Sequence, residues 1–164
     1  HVVEPTEVGA EMISSTRIRG LINHGAVAEA ARLLGTNYRL RGTVVKGVGR
    51  GRGIGFPTAN LAEIDVLTPS PGVYAGLVSF GDRQHSAAIH IGPNPTFDDD
   101  QTVKVEVHLI DYDDDLYNHR LMVDFVARVR DIARFDSPAD LIAQLDRDIQ
   151  SARKLLETNR PSHK

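Results

Sequence analysis

The chain has 164 residues, 41% of them apolar and 25% charged, and a formal net charge of −3. Such a balance fits one soluble domain with an appendage, and it gives no general pull toward nucleic acid or an anionic membrane. No apolar run approaches the roughly 18 residues that cross a bilayer. The absence of cysteine excludes disulfides, thiolate metal sites and cysteine nucleophiles. The start, His1-Val2-Val3-Glu4-Pro5, lacks a basic segment followed by an apolar one, so no export signal is expected and the cytoplasm is the expected compartment.

Residues 12–35 read as a short pair of helices. Ser14-Ser15-Thr16 offers capping hydroxyls, Ile18, Leu21 and Ile22 follow at helical spacing, His24-Gly25 interrupts, and Gly35 stops the second helix. Residues 41–46 look like a strand running into a glycine-rich loop. Further strand patterns occupy 72–80, 86–91, 103–110 and 121–129, separated by turn residues such as Pro69-Ser70-Pro71-Gly72 and Gly81-Asp82. Strands at this density with no long helix between them argue for a mainly β, antiparallel barrel. Ser137-Pro138 then opens a helix with Asp140 at its third position. Its apolar stripe is Leu141, Ile142, Leu145, Ile149, Ala152 and Leu156.

The run from Gly47 to Asn60 carries the most chemistry. Five of the chain's 14 glycines lie between positions 47 and 55, with Arg50 and Arg52 among them and Pro57-Thr58-Ala59-Asn60 directly after. Closely spaced glycines bring backbone N–H groups up to an anion, and arginine suits phosphate. Thr58 and Asn60 supply hard oxygen donors that suit Mg²⁺, and two residues apart on an extended segment they share a face. The run is neither a Walker A loop nor a strict G-x-G-x-x-G, and composition alone also allows a plain hairpin loop. In 103–109 the residues alternate, so Glu106 shares a face with Lys104 and His108, a face that the pattern alone would give to solvent. Asp111-x-Asp113-x-Asp115 lacks the glycine and glutamate of an EF-hand, and Asp98-Asp99-Asp100 reads as a solvated loop.

Gly-x-Gly-Arg-Gly-Arg…Gly-Phe-Pro-Thr-Ala-Asn resembles the signature of riboflavin kinases. The likeness continues in order through Pro71-Gly72-Val73-Tyr74, Ile91-Gly92-x-Asn94-Pro95-Thr96-Phe97, Glu106-Val107-His108-Leu109, Asp115-Leu116-Tyr117 and Phe135-Asp136-Ser137, covering about residues 38–157. Ile13-Ser14-Ser15-Thr16-Arg17-Ile18-Arg19 is similar to the segment that ends the adenylyltransferase module of bacterial bifunctional FAD synthetases. The resemblance implies a small antiparallel Greek-key β-barrel with a C-terminal amphipathic helix and a short N-terminal helical segment. It divides the chain into 1–36, the end of a preceding adenylyltransferase module, and 37–164, the kinase domain.

It also implies an activity, transfer of the ATP γ-phosphoryl group to the ribityl hydroxyl of riboflavin with Mg²⁺, giving FMN and ADP. In that reading Glu106 is the base, and Thr58 and Asn60 hold the metal and phosphate oxygens. Amides of Gly47, Gly49, Gly51 and Gly53 cradle phosphates under Arg52, with His108 and Tyr117 also on the nucleotide side. Arg130 and Phe135 lie near the flavin. Taken as residues alone, Glu106 is more often a surface carboxylate, Arg130 is as readily a surface arginine, and Phe135 is more often a packing residue. Asn118 stands where the family usually has glycine after D-x-Y, and asparagine tolerates a positive φ. A non-catalytic flavin- or nucleotide-binding barrel is the rival reading, and the presence of Thr58, Asn60 and Glu106 argues against it. The chain is too short to carry the adenylyltransferase module as well, so FMN and not FAD is the expected product. His90-Ile91-Gly92-Pro93 is superficially similar to the H-x-G-H of such enzymes, but its second histidine is missing.

Overall fold

A computed structural model describes residues 7–8, 11–12, 14–47, 49–93 and 102–159. The elements in order are β1 (Glu7–Val8), β2 (Glu11–Met12), α1 (Ser15–Asn23), α2 (Val27–Leu34), β3 (Tyr38–Val45), α3 (Arg50–Gly53), β4 (Ala59–Ala62), β5 (Gly72–Phe80), β6 (Arg83–Gly92), β7 (Lys104–Leu109), β8 (Arg120–Arg130) and α4 (Pro138–Thr158). The segment Asn94-Pro95-Thr96-Phe97 and the triple aspartate lie outside the described residues.

Strands β3 to β8 close into a barrel in the order β3-β4-β7-β6-β5-β8, every pair antiparallel. Hairpins join β5 to β6 to β7, and β4 returns to pair with β7, which is the Greek-key arrangement. Closure removes the sheet edges and leaves each strand with an inner and an outer face. Leu40, Val44, Leu61, Tyr74, Val78, Ile89, Ile91, Val105, Val107, Leu121, Val123 and Phe125 form the buried core, with the rings of Tyr74 and Phe125 meeting edge to face at 5.5 Å. Period-two alternation then puts Asn60, Glu106, His90 and Val73 on the outer face.

The expected caps are present. The Ser14 hydroxyl accepts from the Arg17 N–H, Gly35 ends α2 with a left-handed backbone, and the Ser137 hydroxyl accepts from the Asp140 N–H with proline at the first turn. Ile22, Val27 and Ala30 of the helical pair belong to the same buried cluster as the barrel interior. The Arg128 guanidinium ties the turn between these helices to the barrel by donating to the carbonyls of His24 and Pro71. Asn118 takes φ +64°, so the turn expected there keeps its left-handed residue. Its N–H donates to the Val44 carbonyl.

Helix α4 lies against the outer face. Ala152 and Leu156 pack with Ala75, Ala88, Ile110 and Val126. Toward its N-terminus Leu141, Leu145 and Ile149 stand instead over a cavity. One apolar stripe therefore does two jobs, core at one end and pocket wall at the other.

Candidate functional site

Barrel register puts the chemistry into one row. Val45 pairs with Asn60, Asn60 with Glu106, Glu106 with His90, His90 with Val73, and Val73 with Arg130. The row crosses β3, β4, β7, β6, β5 and β8, and all six side chains line one cavity of about 670 Å³. Neighbouring strands are about 4.8 Å apart, so Asn60, Glu106 and His90 stand side by side. The face that alternation alone assigns to solvent is covered. Helix α4 and Ile132, Ala133 and Phe135 wall one side, and the glycine loop walls the other.

The loop is folded down onto Thr58 and Asn60. Helix α3 is a single turn inside it, which the glycine-rich sequence did not announce. The Phe56 N–H donates to the Gly51 carbonyl at 2.8 Å and closes the loop behind that turn. A Cβ on Gly47 would collide with the Asn60 amide, and one on Gly51 would collide with the Phe56 carbonyl and reach within 3.4 Å of the Thr58 hydroxyl. Only glycine lets the backbone come this close. His108 anchors the loop's end. Its Nδ1 lies 2.8 Å from the Pro57 carbonyl, which can only accept, so Nδ1 carries the proton. The Phe56 ring tilts against the same imidazole.

A second cavity of about 200 Å³ adjoins the first and is lined by Arg52, Pro57, Tyr112, Asp115 and Tyr117 among others. Lys46, Gly47, Gly49 and Thr58 line both cavities, so the first residues of the loop form their junction. Gly51 faces the larger cavity only. Gly53 lines neither, and the structure does not bring it to the site.

Arg130 is held, not free. Its Nε and Nη2 donate to the Asp148 carboxylate at 2.8 and 2.7 Å, and its Nη1 donates to the Asp131 carbonyl. The guanidinium carbon lies 5.7 Å from the centroid of the Phe135 ring, a cation–π contact. Asp148 is only 3% exposed and also accepts from the Gln144 amide at 2.8 Å. Two charges taken from water require such a complete set of partners.

The donor set fits a magnesium–nucleotide group. The Thr58 hydroxyl and Asn60 carbonyl are neutral, hard oxygens, and Mg²⁺ characteristically keeps several waters and takes phosphate oxygens beside one or two protein ligands. Gly47 and Gly51 pack so close beside them that an added Cβ would meet the Asn60 amide and come within 3.4 Å of the Thr58 hydroxyl.

A family model described as riboflavin kinase (flavokinase) matches residues 34–156. The chain belongs to the riboflavin kinase family. It is 39% identical over 153 residues to a bifunctional riboflavin kinase/FMN adenylyltransferase of Listeria monocytogenes, a match covering 93% of this chain and 49% of that protein. The chain thus spans about half the length of the curated relatives it matches. A solved structure described as a macrolide-efflux protein from Streptococcus pneumoniae is 40% identical, with a TM-score of 0.82 over 92% of this chain and 50% of that one. A riboflavin kinase from Trypanosoma brucei shares the fold at 23% identity, with a TM-score of 0.52 over 74% of this chain and 80% of that one.

Within this riboflavin kinase fold, sequence reasoning missed two site residues. Asp148 had a signal, because a carboxylate at that place interrupts the apolar stripe between Leu145 and Ala152. His90 had one too, a polar ring between Ile89 and Ile91 in the otherwise apolar second half of its strand.

Proposed function

We propose that this chain transfers the γ-phosphoryl group of ATP to the terminal ribityl hydroxyl of riboflavin, giving FMN and ADP, as one module of a longer bifunctional enzyme. The observation that carries the reading is the pairing of Asn60 with Glu106, beside a loop whose residues line both cavities. The larger cavity, apolar along α4, takes the isoalloxazine, and the smaller takes the nucleotide, with Tyr117 on its wall. A pocket of this size and mixed lining suits a ligand of that bulk.

The chemistry follows from the row. Glu106 takes the proton from the ribityl hydroxyl as that oxygen bonds to the γ-phosphorus and the bond to the ADP oxygen breaks. Amides of Gly47, Gly49 and Gly51 receive the phosphates, with Arg52 supplying charge from the nucleotide side. Bound Mg²⁺ supplies charge neutralisation, and Thr58 and Asn60 are the residues that would hold it. Arg130, fixed by Asp148, presents its remaining N–H groups to the flavin end. Residues 1–36 are read as the end of the adenylyltransferase module, so this chain alone would stop at FMN. Use of ATP and riboflavin would place the reaction in the cytoplasm.

The direct test is incubation with riboflavin and Mg-ATP followed by chromatography of the flavins. An FMN peak with no FAD is expected. Riboflavin bound but returned unchanged would favour the non-catalytic barrel. Gly51→Ala is a second probe. Its methyl must displace the Phe56 carbonyl and so lift the loop. The KM for ATP should rise roughly tenfold or more while the melting temperature moves little, because Gly51 lies outside the buried core. An unchanged KM would remove the loop from nucleotide binding.

A further inference from the structure

We propose that His90 is a specificity-determining residue whose ring accepts a hydrogen bond from a secondary hydroxyl of the substrate's polyol chain. The inference deepens the riboflavin kinase reading and rests on it. His90 lines the larger cavity and is the direct cross-strand partner of Glu106, with Val73 and then Arg130 beyond it in the same row. A linear polyol with its terminal hydroxyl at Glu106 and its ring system toward Arg130 and Phe135 must pass along that row. One strand spacing, about 4.8 Å, separates the place of the reacting hydroxyl from the place of His90. That is the reach of a few carbons, and each of those carbons bears a hydroxyl.

The imidazole is set up as an acceptor. Its Nε2 lies 3.2 Å from the Pro93 carbonyl, which cannot donate, so in the neutral ring the proton sits on Nε2 and Nδ1 keeps its lone pair. Burial is the main cause that pulls the His90 pKa below its ordinary value. The Arg130 charge acts in the same direction, against Glu106 and the carbonyls of Pro93 and Gly92. The neutral ring is therefore the form present at neutral pH. An apolar wall cannot tell a ribityl chain from an alkyl one. A buried acceptor left without its donor when the hydroxyl is missing can.

Equilibrium binding tests this without turnover. Riboflavin and lumiflavin, which carries a methyl group in place of the ribityl chain, are titrated by flavin fluorescence against the whole chain with MgADP present. The expected result for His90→Leu is about a tenfold loss of riboflavin affinity with lumiflavin affinity unchanged. His90→Phe, which keeps the ring volume but not the acceptor, should behave alike if His90→Leu fails to fold, and His90→Gln should recover part of the loss. Unchanged riboflavin affinity, or equal weakening of both flavins, overturns the assignment, since the ring would then be packing only. Binding of neither flavin by the parent chain overturns the kinase reading itself. The two failures are thereby distinguished.

Discussion

Glu106→Gln should lower the rate of FMN formation about a thousandfold, the middle of the range for loss of a positioned general base. The substitution keeps the shape and the polar character of the side chain, so the pairings of β7 with β4 and β6 persist. The barrel core should be untouched, because Val105 and Val107 point inward on either side of residue 106. What is lost is the site that takes the hydroxyl proton. The transition state of phosphoryl transfer is loose, so the residual rate comes from positioning and charge stabilisation by the glycine loop, Thr58 and Asn60. The expected signature is therefore a fall in kcat with riboflavin affinity within a few-fold of the parent and an unaltered melting temperature. Initial rates by flavin chromatography, with binding by fluorescence, check all three. A kcat within tenfold of the parent would remove Glu106 from the role.

The legible parts of this molecule were those whose cause is local. The apolar stripe of α4, its Ser137 cap, the Gly35 stop and the left-handed turn at Asn118 each depend on a few neighbouring residues. Strand β4 was harder. It has four residues, two of them alanine, and was visible only as the extended segment that would put Thr58 and Asn60 on one face. Strands β3 and β6 begin at Tyr38 and Arg83, each three residues before the sequence pattern announces them. Their first residues owe their extended form to pairing with β8 and β5. The site depended on register. Alternation told which face Glu106 occupies, but only closure of the barrel brings Asn60 and His90 to either side of it. Only the packing of α4 covers that face. Arg130 shows the same limit. Its partner lies 18 positions away on another element, and a surface charge and a clamped one read alike in sequence.

Asp148→Ala should be strongly destabilising for a change at the site. The carboxylate is 3% exposed, and its removal leaves the Arg130 guanidinium, with 22% of its side chain exposed, beside a void. Breaking a buried pair from one side costs about 3–5 kcal/mol, and partial rehydration of Arg130 brings the expected cost to about 2–3 kcal/mol. In a domain of this size that corresponds to a fall of roughly 5–10 °C in melting temperature. Riboflavin affinity should weaken as well, because the cation over Phe135 loses the two bonds that orient it. Stability and binding separate in the double variant Arg130→Met with Asp148→Leu. Replacing both charges by apolar groups of similar volume removes the uncompensated ion and should restore most of the melting temperature. It should not restore flavin affinity if Arg130 serves the ligand. Thermal melts and flavin titrations on the three proteins decide the matter. A single variant melting within about 1 °C of the parent would mean that water already carries the charge of Arg130, and a double variant that binds riboflavin normally would make the pair a strut between α4 and β8 and nothing more.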